Sequence, residues 1–232
     1  MNSNPYASPY TVAAQPVDVR ATFIRKTYAH LAGAIMSFIV LEYALLKIEA
    51  LQPLTNYMMG SWWLVIILFM GASFMAQKMA HSASKGVQYA GLAFYVTAWA
   101  FVFLPVMGFA TAFYPEIVAQ GAAITLALFA GITAIAFITK KDFSFLNSFL
   151  MIGSFVALGL IAASYFIGFD LGVIFCAAMA IFASVAVLRD TSNVIHHYGS
   201  EQYVGASLGL FSSVALLFWY IIQILLSFAS SD

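Results

Sequence analysis

The chain has 232 residues, 63% of them hydrophobic and only 8% charged, and its nine basic and nine acidic side chains cancel. A soluble domain carries about 25% charged residues, so lipid rather than water has to surround most of this surface. Zero net charge gives no electrostatic case for nucleic acid or an acidic partner. The single cysteine, Cys176, forms neither an internal disulfide nor a thiolate metal site by itself.

Residues 1–21 are polar and punctuated by Pro5, Pro9 and Pro16. They lack the apolar core that a cleaved signal peptide needs, so they read as a flexible cytoplasmic tail. The remainder, 22–230, reads as one membrane domain. Seven continuous apolar runs fall at about 25–46, 61–80, 86–107, 116–138, 145–167, 171–190 and 203–228. Each is close to the ~20 residues that a helix needs to cross ~30 Å of hydrocarbon. Membrane strands would be shorter and alternate in polarity. The expected fold is therefore all-α, a polytopic bundle of seven transmembrane helices. The sixth helix is expected to run on to about 198, with Gly199 as its stop and Ser200 capping the seventh.

The basic residues set a direction. With the tail inside, Arg20, Arg25, Lys26, Lys78, Lys85, Lys140, Lys141 and Arg189 all fall on the inner side, and Lys47 falls outside with Glu49, Glu116 and Asp170. The positive-inside rule then predicts N-in and C-out, with the C-terminus periplasmic. Tyr57, Trp62, Trp63 and Tyr114 fall near the outer interface, where aromatic belts lie. Gly153 and Ala157, and Cys176, Ala180 and Ser184, are spaced four apart. Such stripes of small residues let a second helix approach closely.

Ionisable groups within membrane segments are costly and mark functional candidates. Glu42 lies about 24 Å along a helix from Lys26 at 1.5 Å per residue. It reads either as an interfacial carboxylate near Lys47 or as a gate or proton site facing the bundle interior. Asp190, beside Arg189 at the inner end of the sixth segment, reads either as a solvated interfacial pair or as an ion- or pH-sensing site. His30, about a turn inside the first helix, is placed to hydrogen-bond a neighbouring helix. His196 and His197 are adjacent, whereas zinc-binding histidines on a helix sit three or four apart. There is no phosphate-binding glycine loop, no HExxH and no nucleophile paired with a base. The chain is therefore not expected to be an enzyme or to hold a cofactor or metal.

Three stretches in register carry a resemblance. They are Phe23-Ile24-Arg25-Lys26-Thr27-Tyr28, Thr139-Lys140-Lys141-Asp142-Phe143-Ser144-Phe145-Leu146, and Asp190-Thr191-Ser192-Asn193-Val194-Ile195-His196 followed by Tyr203. Together they resemble the Bax inhibitor-1 family of seven-helix membrane proteins, and in detail its bacterial YccA branch. The resemblance implies a place in the bacterial inner (cytoplasmic) membrane and two functions. The first is to engage and modulate the membrane AAA protease FtsH and its associated proteins. The tail, with Asn2, Pro5, Pro9 and Pro16, would then supply the cytoplasmic handle that a pulling protease needs. The second is a pH-sensitive leak for calcium, other cations or protons, gated by two aspartates. Asp190 matches the first aspartate. Ser213 stands at the second position and cannot ionise, which departs from the family's paired-acid pattern.

Overall fold

The computed structural model describes residues 11–230. Among them the helices are α1 (Val17–Leu46), α2 (Gln52–Gly60), α3 (Trp62–Ala80), α4 (Lys85–Phe113), α5 (Pro115–Thr139), α6 (Leu146–Ile167), α7 (Gly172–His196) and α8 (Tyr203–Ala229). All except α2 are long and apolar enough to cross a membrane, giving seven spans. The expected seven-helix all-α architecture is therefore the one observed. Asn2, Pro5 and Pro9 lie outside the described residues.

Four boundaries depart from expectation. Helix α1 starts at Val17, inside the segment 1–21 expected to be a tail. Pro16 precedes it with φ fixed at −51°, and its carbonyl accepts the N–H of Arg20 at 3.0 Å. Asp18 in the first turn complements the helix dipole. These polar residues hide the first turn from a hydropathy reading. Helix α4 continues through Pro105 to Phe113, since membrane helices tolerate proline where neighbours satisfy the freed backbone. The short helix α2 was not anticipated. At the last boundary, α7 stops at His196 rather than about 198, and Gln202 instead of Ser200 precedes α8.

Helix α8 sits at the centre, packed against α7, α1, α5 and α4. Its buried residues run from Val204 to Leu226. An aromatic group ties the middle together. Phe103 of α4 stands edge-on to Phe38 of α1 at 5.1 Å and is stacked on Phe218 of α8 at 5.4 Å. Phe38 also meets Phe211 of α8 at 6.2 Å. Helix α6 is peripheral and packs on α7. The small-residue stripe permits this contact, because a Cβ at Gly153 would lie 2.5 Å from the Phe182 ring. Of the aromatics assigned to the outer interface, Trp62 instead turns inward. It stacks on Trp219 with centroids 5.3 Å apart.

Because successive spans alternate in direction, the starts of α1, α4, α6 and α8 gather at one end with the ends of α3, α5 and α7. This basic end carries Arg20, Arg25, Lys26, Lys78, Lys85, Lys140, Lys141 and Arg189.

Candidate functional site

Asp190 lies about two turns from the end of α7 and is only 6% exposed. Two partners hold its carboxylate. The Arg189 guanidinium reaches one oxygen at 2.7 Å, and the Ser213 hydroxyl donates to the other across the α7–α8 contact. The local ion pair expected with Arg189 is present, but its carboxylate is buried between helices while the guanidinium side chain stays partly exposed. Arg189 keeps its Nε–H without a protein acceptor. The carboxylate is thus charge-balanced and directionally fixed, which is what a buried ion needs to persist in a low-dielectric interior.

A second polar group begins at the next residue of α7. Thr191 is fully buried, and its hydroxyl stands beside the Tyr28 hydroxyl of α1, with Thr133 of α5 close by. None of the three groups reaches hydrogen-bonding geometry with another, so the contact is one of proximity. Tyr198, in the loop after α7, lies close enough to Asp190 to feel its charge. Burial, then the charge of Asp190, pushes its hydroxyl up to about 12. That hydroxyl rests against Gly209, where a Cβ would come within 3.3 Å of it. Glycine is therefore required on α8 one turn before Ser213 unless Tyr198 shifts.

The α5–α6 loop closes over the end of α7. Lys140 takes the left-handed conformation, with φ of 51°, a common way to end a helix though unusual for lysine. The chain then folds back, and the Phe143 N–H donates to the Ser192 hydroxyl at 2.9 Å. The His197 ring reaches both oxygens of Asp142 at 3.0 Å. Burial raises the Asp142 carboxyl, but the bonds from His197 and Ser144 outweigh it and leave the group below the usual aspartate range. His196 turns back to the Ser192 carbonyl at 3.0 Å, so the two histidines diverge. All three stretches that carry the family resemblance thus meet in space, Phe143 on Ser192 and Tyr28 beside Thr191.

The N-terminal segment completes this end. Val12 has no exposed surface, and its N–H donates to the Tyr198 carbonyl at 2.8 Å. Thr11 forms a β-bridge with Gly199. The chain before α1 is anchored from Thr11 onward, contrary to a tail that runs free to residue 21.

Glu42 sits toward the other end of α1, a turn beyond Phe38. It is 3% exposed, and neither carboxylate oxygen has a hydrogen-bond partner among the described residues. Glu42 is thus buried within the bundle, and Lys47 turns to Tyr43 instead, with Nζ 2.6 Å from the hydroxyl. Glu42 and Asp190 are not brought together. Phe38, one turn before Glu42 on α1, meets Phe211, two residues before Ser213 on α8. His30 meets its expectation with a 2.9 Å contact to the Tyr89 hydroxyl of α4.

A bundle of seven spans with a buried, clamped carboxylate at its basic end defines a polytopic membrane protein with a polar site inside the helices. Residues 20–230 match the family described as inhibitor of apoptosis-promoting Bax1, and the chain belongs to this Bax inhibitor-1 family. It is similar to the Bax inhibitor 1 of Schizosaccharomyces pombe, 26% identical over 92% of this chain and 79% of that protein. It is also similar to an uncharacterized protein of Pseudomonas aeruginosa, 30% identical over 47% of this chain and 49% of the relative. An uncharacterized membrane protein of Vibrio cholerae is 29% identical over 55% of this chain and 61% of the relative. The match thus spans about half to three-fifths of the two bacterial relatives' lengths.

Proposed function

We propose that this Bax inhibitor-1 family protein is a gated leak for calcium, other cations or protons, that its basic end faces the cytoplasm, and that the structure is its closed form. One observation carries the reading: the buried Asp190 carboxylate is clamped between Arg189 and Ser213 where α7 meets α8. Intramembrane carboxylates of this kind line ion or proton pathways. The packed rings of Phe38, Phe103 and Phe211 fit a hydrophobic constriction that blocks passage until the helices part. Glu42, buried and without a hydrogen-bond partner among the described residues, would be a further acid on the path.

The gate would differ from a two-acid switch. Ser213 replaces the second acid and Arg189 supplies the counter-charge, so opening means breaking an ion pair and a hydrogen bond rather than separating two carboxylates that share a proton. Reconstitution into vesicles tests this. Asp190→Asn removes the charge that Arg189 holds and is expected to raise cation flux. Flux no greater than that of empty vesicles, for wild type and variant at every pH, rejects the proposal.

A second reading, modulation of the FtsH membrane protease, is favoured by the position of the N-terminal segment. Val12 is anchored at the basic end, beside Tyr198. Thr11 and Val12 therefore lie at the same end as the α5–α6 loop. Only residues 1–10 would serve as a handle. Their deletion, leaving Thr11 and Val12 in place, should slow turnover by the protease, and unchanged turnover counts against this reading.

A further inference from the structure

Between α1 and α4 a groove of about 540 Å³ opens along the side of the bundle. It runs from His30 to Leu41 on α1 and from Tyr89 to Thr97 on α4. Its floor is narrow because the lining includes Ala29, Gly33, Ala34 and Ala93. The volume falls within the ~300–1,000 Å³ typical of ligand sites. From His30 to Leu41 is about 16 Å at 1.5 Å per residue, close to the depth of one leaflet of a ~30 Å hydrocarbon core.

The basic-end mouth of this groove is polar and cationic. His30 Nδ1 lies 2.7 Å from the Lys26 carbonyl and its Nε2 is 2.9 Å from the Tyr89 hydroxyl. A neutral ring that donates from Nδ1 would accept the tyrosine proton at Nε2. Lys26 and Lys85 both stand over the Tyr203 ring, at 5.1 and 4.1 Å. Their charges also act on the Tyr89 hydroxyl. Lys85 is tied to Glu201, its carboxylate at 3.3 Å, whereas Lys26 is exposed and forms no ion pair among the described residues. One lysine is therefore fixed in place and one is free to take an anion. An apolar channel of leaflet depth that ends at cationic and hydroxyl groups matches a lipid with a phosphate headgroup.

We propose that the α1–α4 groove binds one acyl chain of an anionic phospholipid from the leaflet at the basic end, with the headgroup phosphate held by Lys26. Basic pockets between membrane helices on the cytoplasmic side take such headgroups. A second protein helix would need the groove's mouth to be apolar as well.

The full-length protein is purified and placed in nanodiscs of phosphatidylglycerol or phosphatidylcholine, and retained lipid is counted by native mass spectrometry after transfer to detergent. Phosphatidylglycerol is expected to stay bound and phosphatidylcholine to be lost. Lys26→Gln should cut phosphatidylglycerol retention about fivefold, the worth of one basic residue beside an anionic lipid. Gly33→Leu fills the groove where a Cβ meets nothing within 4 Å, so the fold is spared, and it should abolish retention of either lipid. Equal retention of the two lipids overturns the proposal. So does retention unchanged in either variant, or release of the lipid by inorganic phosphate alone, which would mark an anion site that ignores the acyl chain.

Discussion

Ser213 of α8 donates to Asp190 of α7, while its neighbour Ser212 turns about a third of the way round the helix to meet the Tyr95 hydroxyl of α4 at 2.7 Å. Two adjacent serines thus stitch the central helix to opposite neighbours. Removing one partner of a buried charged pair costs about 3–5 kcal/mol. Asp190→Ala, which strands Arg189, should therefore unfold far more readily in detergent than Ser213→Ala. The latter loses one hydrogen bond to a charged group, about 1–2 kcal/mol in a membrane. Thermal melts of the two variants that coincide would contradict the clamp.

Ser213→Asp is expected to give the site the second acid it lacks. Two carboxylates at hydrogen-bond distance share a proton and separate when it leaves. Flux in vesicles should then be low at acid pH and rise with pH in this variant, with a steeper pH dependence than in wild type. A pH profile identical to that of wild type would place Ser213 outside the gate.

Glu42→Gln replaces a carboxyl that has no partner with a neutral amide of the same shape. Stability should hold or rise slightly, because no buried carboxylate then needs desolvating. If Glu42 lies on the path, flux through the open Asp190→Asn background should fall. A melt lowered by several degrees would mean that Glu42 has a structural partner.

The α5–α6 loop should loosen in acid. The Asp142 carboxyl lies below its ordinary value of 3.8 when folded. Its contribution is therefore complete above the unfolded value and is lost as pH falls through the lowered one. The effect is small, since Asp142 and His197 are each nearly half exposed. Hydrogen exchange at the Phe143 amide reports it. Protection should drop below about pH 4, and Asp142→Asn should show the low protection already at neutral pH.

The seven spans and the basic end were legible because hydrophobic length and lysine placement are local quantities. Val17 to Arg20 escaped because a helical first turn that is polar looks like any polar segment. The burial of Asp190 was illegible for a different reason. Arg189 beside it suggested a surface pair, and only the α7–α8 packing brings Ser213 over it. Ser213 drew attention solely through the family resemblance. The anchoring of Val12 had no signal at all, since a lone valine among polar residues carries no periodicity. The docking of Phe143 on Ser192 was hidden in the same way, as it depends on the left-handed turn at Lys140.

The bond from Val12 to Tyr198 also orders events in time. Val12 is among the first residues made, yet the carbonyl and the pocket that receive it belong to the loop between the last two spans. During synthesis the N-terminal segment must wait, unsatisfied, until α7 has been inserted and the chain beyond it has turned. The seam between the N-terminal segment and this loop therefore closes only once α7 is in place.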